Sequence, residues 1–282
     1  MIKEYLIEKG LLTINIILII TCLLLVMFLF NESIPIIQDY GLLKFVSGVI
    51  WAPDNNQFGI FPMIVSTTVI TLISLVMAIP LSISCAVFLE EIAPIKIKTL
   101  FKPIVQTLAG IPSVIYGFFG LTVIAPFIRQ TFGGSGFSIF TASIILAIMI
   151  LPTIISVSQD AIKSVPNGYK EASFGLGSTK WQVIKNIILP TALPGIVTAI
   201  ILGIGRAIGE TLAVLMLVGN VNVMPTSIFN PARTLTSNIA LEMGYATGIH
   251  YNALFTTSVI LFLVIVILMA VSTFVQYKLK WC

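Results

Sequence analysis

Six long apolar runs constrain this chain more than any other feature. They lie at about residues 11–30, 60–88, 103–128, 137–158, 191–219 and 253–275. A helix needs roughly 20 apolar residues to cross the hydrocarbon core of a bilayer. Lipid cannot satisfy backbone N–H and C=O groups, so such segments must be helical. The sequence therefore predicts an all-α, polytopic integral protein of the cell membrane with six transmembrane helices.

Composition narrows the class of protein further. The chain is 57% hydrophobic and 9% charged, whereas a soluble domain carries roughly 25% charged residues. Its net charge of +4 comes from short lysine clusters between apolar runs, which does not indicate nucleic-acid binding. A single histidine without a ligand cluster argues against a metal site, and no GxxxxGK[ST] loop for ATP is present. We expect no cofactor in this chain and no enzymatic activity of its own.

The distribution of basic residues predicts the topology. Eleven lysines lie before the first run, after the last run, or in the second and fourth connections, while the other connections hold Lys44, Arg129 and Arg233. The positive-inside rule then places both termini in the cytoplasm. The first run is too long for a signal-peptide core and is expected to be a retained helix. We predict an N-terminal helix and outer loop (1–57), a transmembrane domain (58–275) and a cytoplasmic tail (276–282).

The inner connection, residues 159–190, reads QDAIKSVPNGYKEASFGLGSTKWQVIKNIILP. Pro166 and Asn167 precede a helical pattern, Gly175 and Gly177 interrupt it, and Ser178 is a candidate cap for a second helix. The pattern predicts two short helices outside the bilayer, suited to a groove on another protein. The outer connection, residues 220–252, is long and polar. It could dip back toward the membrane or receive a partner.

The same inner connection resembles the signature of permeases of ATP-binding-cassette (ABC) importers. The matching positions, with every spacing kept, are Glu171, Ala172, Gly177, Ile187, Leu189 and Pro190. Residues 58–94, 109–121, 203–220 and 237–255 further resemble phosphate-specific permeases, and RAIGETLAVLMLVGN is closer to the PstC-type than to the PstA-type subunit. The resemblance implies a type I ABC importer permease fold and a coupling loop that docks on an ATPase.

Arg206 and Glu210 stand inside the fifth apolar run, in GIGRAIGETLAV. A charge at the bilayer centre costs on the order of 2.5–3.5 kcal/mol, so both should face a cavity or the bundle interior. In one continuous helix, residues four apart share a face and the two side chains can meet. Gly205 and Gly209 form a GxxxG pattern that permits close packing of another helix. A structural ion pair therefore remains an alternative to a functional role.

The resemblance implies that Arg206 and Glu210 take part in translocation of inorganic phosphate, with Thr211 as a weaker candidate. Ser113 and Tyr116 could add hydroxyl donors, although packing roles are the simpler interpretation, and the glycines around them should bend the third span. Glu210 could neutralise Arg206 in the empty state, or accept a hydrogen bond from protonated phosphate and repel sulfate. Glu90 and Glu91 are interpreted as a solvated helix end or an ATPase contact, Trp51 as part of an aromatic belt, and His250 as an ordinary surface residue.

The resemblance also implies partners: a PstA-type second permease, two ATP-binding subunits that carry ATP and magnesium, and an extracytoplasmic phosphate-binding protein. Three alternatives remain open. The anion could be sulfate, molybdate or phosphonate. The chain could be an ion-driven secondary transporter, which would not need the signature at 171–190. A membrane enzyme would need a cluster of His, Asp or Cys, and the sequence has none.

Overall fold

The structure, a computed structural model, describes residues 2–279, with side chains from 8 to 274 and at 276 and 277. Within these residues six helical segments are long and apolar enough to cross a membrane, which confirms the predicted number. They are Glu8–Ser47, Phe61–Ile92, Ser113–Phe132, Ile139–Lys163, Lys180–Gly209 and Ile249–Phe274. The cytoplasmic location of the termini stays a prediction. The last three residues of the predicted tail lie outside the described residues.

The helices in chain order are α1 (Ile2–Pro35), α2 (Leu42–Ser47), α3 (Phe61–Val87), α4 (Ile95–Gly110), α5 (Ser113–Phe119), α6 (Ala125–Phe132), α7 (Ile139–Lys163), α8 (Asn167–Gly175), α9 (Lys180–Val183), α10 (Leu189–Gly209), α11 (Leu212–Leu217), α12 (Leu235–Glu242) and α13 (Ile249–Leu279). Turns of π-helix cover Ile36–Gly41, Phe88–Ile92, Gly120–Ile124 and Ile184–Ile188. Two short strands, β1 (Trp51–Ala52) and β2 (Gln57–Phe58), pair antiparallel.

The chain divides into two compact units. The first comprises Met1–Phe61 with Ile239–Phe262. Its helices are joined by polar contacts, in which the Asn252 side chain donates to the Glu32 carbonyl at 2.8 Å. Its hairpin closes because Gly48 and Gly59 approach backbone to backbone, where an added Cβ on Gly59 would lie 2.4 Å from the carbonyl carbon of Gly48. Any side chain there would force the hairpin apart.

The second unit comprises Pro62–Asn238 with Leu263–Cys282. Its centre is α7, whose first turn is capped by Ser138, the Oγ of which accepts from the Thr141 N–H. Helix α10 lies against α7 through small residues: an added Cβ at Gly195 would be 2.4 Å from the Cβ of Ala161, and one at Gly203 would be 2.8 Å from Ile154. This close approach lets the buried faces of both helices interlock, since interiors are packed to crystal density.

The third apolar run, predicted as one span at 103–128, is divided. Helix α4 begins earlier, at Ile95, and ends at Gly110, and the spanning segment begins only at Ser113. The break follows from Pro112, because a proline disfavours helical geometry in the residue before it. Ile111 is accordingly extended, with ψ 129°. The predicted bend is therefore confirmed, but the boundaries of this span were wrong.

The fifth apolar run, predicted as one span at 191–219, is also broken. Its helix begins at Lys180, continues without interruption through Pro190 and ends at Gly209. Arg206 thus stands 26 residues into the helical segment Lys180–Gly209, about 39 Å along its axis at 1.5 Å per residue. It lies in the last turn of α10, closer to the far end of the helix than the sequence had suggested.

The coupling loop has the predicted pair of short helices, α8 and α9. The turn between them contains Gly177 at φ +85°, a left-handed conformation that favours glycine. The cap of α9 is Thr179, not the predicted Ser178. The Thr179 side chain accepts from the Gln182 N–H while the Gln182 side chain accepts from the Thr179 N–H. This reciprocal capping box favours Thr179, because Gln182 stands three residues after it.

Candidate functional site

The candidate site is a break in the helical path at residues 210 and 211. Helix α10 ends at Gly209, Glu210 is extended at φ −70° and ψ 129°, and α11 begins at Leu212. A terminal glycine has low helix propensity, and three polar contacts hold the break. The Glu210 carboxylate accepts from the Ala213 N–H at 3.2 Å, its carbonyl accepts from the Thr236 hydroxyl at 3.0 Å, and the Thr211 hydroxyl donates to the Gly209 carbonyl at 3.3 Å.

Arg206 stands on the α10 side of this break. Its Nη1 donates to the hydroxyl of Thr153 on α7 at 3.1 Å, and its side chain is half-buried. A guanidinium has five N–H donors, and this is its one hydrogen bond to the described residues. The other donors are therefore available to water or to an anion. Sequence analysis alone did not identify Thr153, because this residue lies within an otherwise apolar stretch of α7.

Each of the two charges lies at the helix end that favours it. Arg206 occupies the last turn of α10, where exposed carbonyl groups carry partial negative charge. Glu210 precedes the first turn of α11 and accepts one of its free N–H groups. Cations are stabilised at helix C-termini and anions at N-termini, by about 0.3–1 kcal/mol each at exposed positions. The break thus holds a cation and an anion close in sequence without requiring them to pair.

The predicted contact between Arg206 and Glu210 is wrong for this structure. The described residues show no ion pair between them, because the helix on which the i, i+4 argument depended ends before Glu210. Direct neutralisation of Arg206 by Glu210 is therefore not observed. The GxxxG prediction is also wrong within the described chain: an added Cβ at Gly205 meets only a Met269 sulfur at 3.9 Å, and one at Gly209 meets nothing within 4 Å.

The third span supports the break through packing and does not supply hydroxyl donors to it. Tyr116 is buried, and its hydroxyl donates across the Pro112 bend to the Leu108 carbonyl at 2.8 Å. That carbonyl, near the end of α4, also accepts from the Ile111 N–H, so Tyr116 adds a second donor where the regular helical hydrogen bonds stop. An added Cβ at Gly117 would lie 2.7 Å from the Met216 sulfur. The lack of a side chain at Gly117 therefore lets α11 pack closely against α5. The expectation that this glycine loosens the span is not met.

Part of the outer connection folds back onto the same break. Residues 234–238, at the start of α12, are buried. The Thr236 hydroxyl reaches the Glu210 carbonyl, and the Leu235 N–H donates to the Thr67 hydroxyl on α3 at 3.1 Å. The Arg233 side chain donates to the Asn238 side chain at 2.9 Å. Of the two alternatives for this connection, the structure shows that this segment dips back into the bundle.

The predicted coupling residues lie around α8 and the start of α10. Glu171 and Ala172 are exposed on α8, Gly177 forms the turn, and Pro190 lies in the first turn of α10. Four large apolar side chains on α8, the turn and α9 are also exposed, namely Tyr169, Phe174, Leu176 and Trp181. Leu176 is 89% exposed. Tyr169, Phe174 and Leu176 lie outside the six spanning segments, and Trp181 lies in the first turn of the segment Lys180–Gly209. Exposed apolar side chains that are grouped outside a membrane span are typical of a protein-interaction surface.

The acidic pair at the end of α3 is not a solvated helix end. Glu91 accepts from the Nζ of Lys170 on α8 at 2.6 Å, and both side chains are less than one-fifth exposed. Glu90 accepts from the Nζ of Lys98, through its carbonyl at 2.5 Å and its carboxylate at 3.6 Å. The Glu91–Lys170 bridge ties the coupling helix α8 to the π-helical turn that follows α3 in the second unit. The sequence could not indicate this link, because 79 residues separate the partners.

His250 is not an ordinary surface residue. Within the first unit its Nε2 lies 2.8 Å from the Glu242 carboxylate, which also accepts from the indole N–H of Trp51 at 2.8 Å. Trp51 is buried, so its predicted place in an aromatic belt is wrong. Its ring packs edge-on against that of Phe58 at 5.5 Å. The cluster fixes the hairpin to α12 and α13, and its residues are too far apart in sequence for a local pattern.

Comparison with known proteins identifies the family. Residues 78–280 match the family model described as binding-protein-dependent transport system inner membrane component. The chain is 41% identical over 231 residues to a probable ABC transporter permease protein, YqgH, of Bacillus subtilis, covering 80% of this chain and 75% of that protein. It is 34% identical over 272 residues to the phosphate transport system permease protein PstC of Mesorhizobium japonicum, covering 89% and 83%.

Solved structures show the same fold at lower identity. A bacterial alginate ABC transporter matches with a TM-score of 0.68 at 18% identity, over 96% of this chain and 93% of that chain. The MetNI methionine ABC transporter matches with a TM-score of 0.59 at 22% identity, over 86% and 99%. These structures confirm the predicted ABC importer permease fold. The role of a membrane transport subunit that is not itself an enzyme follows from the family model and from the permease relatives. The chain belongs to the family of inner membrane components of binding-protein-dependent transport systems.

Proposed function

We propose that this chain is the permease subunit of an ATP-driven importer that carries inorganic phosphate into the cell. The observation that carries the proposal is the guanidinium of Arg206, which lies unpaired with any carboxylate of the described residues at a broken helix. Discontinuous helices at membrane depth are typical of substrate and ion sites in transporters. Relatives at 34–35% identity are named phosphate transport system permeases.

Arg206 acts as a temporary counter-charge for the passing anion. Phosphate carries one to two negative charges near neutral pH, and a guanidinium matches its oxygens with fixed, parallel N–H donors. Thr153 takes one donor and fixes the plane of the group, which leaves the remaining donors for phosphate. The side chain is half-buried, so the interaction is stronger than in bulk water yet weak enough to release the anion.

Glu210 contributes selectivity in this proposal. One of its carboxylate oxygens caps α11, and the other can accept a hydrogen bond from the proton that phosphate keeps near neutral pH. Sulfate has no such proton, so the same oxygen repels it. Thr211 donates its hydroxyl to the Gly209 carbonyl, which supports a role in shaping the break more than one in touching the substrate.

The coupling loop transmits ATPase closure to the bundle. The exposed apolar side chains of α8 and α9 enter a groove of the ATPase, and the Glu91–Lys170 bridge connects α8 to the π-helical turn that follows α3. Glu171 and Ala172 lie on the exposed face that docks, while Gly177 and Pro190 fix the geometry of the turn and of the entry into α10. The permease pair then alternates between outward and inward states, whose populations each ligand shifts by its differential affinity.

The full importer contains a PstA-type second permease, two ATP-binding subunits that hold ATP and magnesium, and an extracytoplasmic phosphate-binding protein. Both termini lie in the cytoplasm, in keeping with the lysine distribution. The binding protein delivers phosphate to the outer connections, including residues 220–252. Sulfate, molybdate and phosphonate are the substrates to exclude, because an arginine at a helix break would serve any of these oxyanions.

Uptake measurements test the proposal. A strain that lacks this subunit but keeps its partners should recover uptake of radiolabelled phosphate when the chain is supplied. Unlabelled phosphate should compete, while sulfate, molybdate and phosphonate at the same concentration should not. An ATPase should co-purify with the chain. Uptake of another oxyanion without phosphate uptake would reassign the substrate, and phosphate uptake that continues without any ATPase would indicate a secondary transporter.

A further inference from the structure

A cavity of about 430 Å³ lies between α4, α7 and the end of α3, at the same end of the second unit as the coupling helices. Its volume falls within the range of roughly 300–1,000 Å³ typical of small-ligand pockets. Two rows of polar side chains face it. Helix α4 contributes Lys98, Lys102 and Gln106, and α7 contributes Ser156, Asp160 and Lys163. We infer that this cavity is a second anion site, which receives phosphate released from Arg206.

The row on α4 follows from helical spacing. Lys98, Lys102 and Gln106 stand four residues apart, so they lie one above another on a single face. Lys98 is held by Glu90 at the cavity rim. Lys102 is exposed and has no ion pair with a described residue. Its ammonium group is therefore free to attract an anion, together with Lys163 across the cavity, for which the described residues likewise show no acidic partner.

The row on α7 connects the cavity to the candidate site. Thr153, which binds Arg206, stands three residues before Ser156 and seven before Asp160. Residues at these separations share one side of a helix, and Ser156 lies about 4.5 Å along the axis from Thr153 at 1.5 Å per residue. A continuous polar side of α7 thus leads from Arg206 to Lys163. An anion that leaves Arg206 would meet hydroxyl, amide and ammonium groups in turn.

The size and charge of the cavity suit transient binding. It is larger than a bare oxyanion requires, so phosphate would keep much of its water, and Asp160 and Glu90 offset part of the lysine charge. A cleft lined by one excess sign of charge raises the local concentration of the opposite ion. The site would draw phosphate from Arg206 without holding it. This inference rests on the proposed function, because it assigns the cavity a place on the route of phosphate.

Binding can be tested on the purified complex of permeases and ATPases in lipid nanodiscs. Lysines are acetylated with an amine-reactive reagent, and modification of each is quantified by mass spectrometry with and without inorganic phosphate. Phosphate should slow acetylation of Lys102 and Lys163 in a saturable way, in zwitterionic lipid, and chloride at equal ionic strength should not. Lys96, on α4 but outside the cavity, is the internal control. Protection that requires anionic lipid would mean a lipid headgroup site and would overturn the inference.

Phosphate uptake by lysine variants provides a second test of the inner anion site. The double variant Lys102→Gln/Lys163→Gln should lower the maximal uptake rate by about tenfold, the lower end of the effect of focused charge. The external KM should change little, because the outer capture step is untouched. The single variants Lys102→Gln and Lys96→Gln are the matched control, since each removes one charge from α4 and only Lys102 lines the cavity; the first should lower uptake and the second should transport normally. Equal loss in both single variants would indicate altered topology and overturn the site.

The two proposals fail in different ways. Wild-type complex that imports phosphate but shows no phosphate protection of Lys102 and Lys163 overturns the inner site and leaves the proposed function intact. Complex that imports a different oxyanion and no phosphate overturns the proposed function. In that case protection by phosphate would no longer place the cavity on the import route, and the inference fails with it.

Discussion

Thr153 is predicted to position Arg206 for transport. Its hydroxyl accepts the one hydrogen bond, at 3.1 Å, that the guanidinium makes with a described residue. A hydrogen bond to a charged group contributes about 1.5–3 kcal/mol. Both side chains are half-buried, which places this bond at the lower end, about 1.5 kcal/mol. If the aligned guanidinium is needed at the transport barrier, its loss lowers the rate about tenfold.

The change to make is Thr153→Val, which keeps the branched shape and removes the hydroxyl. The assay is initial phosphate uptake in the strain lacking the native subunit, normalised to the amount of variant in the membrane. Thr153→Ser is the matched control, because it keeps the hydroxyl and should retain uptake within about twofold, well under 1 kcal/mol. Equal uptake by the Val and Ser variants would show that the Thr153 hydroxyl does not position Arg206 for transport.

Three further predictions concern packing, selectivity and coupling. Gly195→Ala should destabilise the protein by about 1–3 kcal/mol through overpacking against α7, seen as a lower unfolding temperature in detergent, whereas Gly209→Ala, which meets open space, should not. Glu210→Gln keeps a cap for α11 and should lower the phosphate-to-sulfate uptake ratio; an unchanged ratio contradicts the selectivity role. The Glu91→Gln variant should import less phosphate per ATP hydrolysed, and a variant that exchanges Glu91 and Lys170 should restore this ratio. An unchanged ratio in Glu91→Gln would show that the bridge does not contribute to coupling.

Much of the fold could be predicted because bilayer crossing imposes a length that is visible in the sequence. The six spans, the bend at Pro112 and the two coupling helices all follow from local signals: apolar run length, proline geometry and glycine at positive φ. The predicted cap of α9 is one residue too early, because Ser178 and Thr179 are adjacent and both residue types can cap a helix. The capping box with Gln182 decides for Thr179, and that signal was present in the sequence.

The site was predicted less well, since it depends on where a helix stops. Nothing in AIGETLAV ends a helix as firmly as a proline, and Gly209 alone is a weak signal. The extended Glu210 is held by Thr236, 26 residues away, so tertiary contacts decide the break. The same holds for small residues: the sequence marks Gly205 and Gly209, but the close contact with α7 is at Gly195 and Gly203. The packing of the whole bundle decides which glycines contact a neighbouring helix. The spacing of glycines in the sequence does not.

The role of Arg206 as counter-charge is tested most directly by phosphate uptake with Arg206→Gln and Arg206→Lys, at equal membrane levels and with ATPase assembly verified. The Gln variant should assemble but fail to transport, since no cation remains at the break. The Lys variant should also be impaired, because a single ammonium cannot contact Thr153 and offer phosphate parallel donors. Normal uptake by the assembled Gln variant would show that Arg206 is a structural residue and not a counter-charge for phosphate.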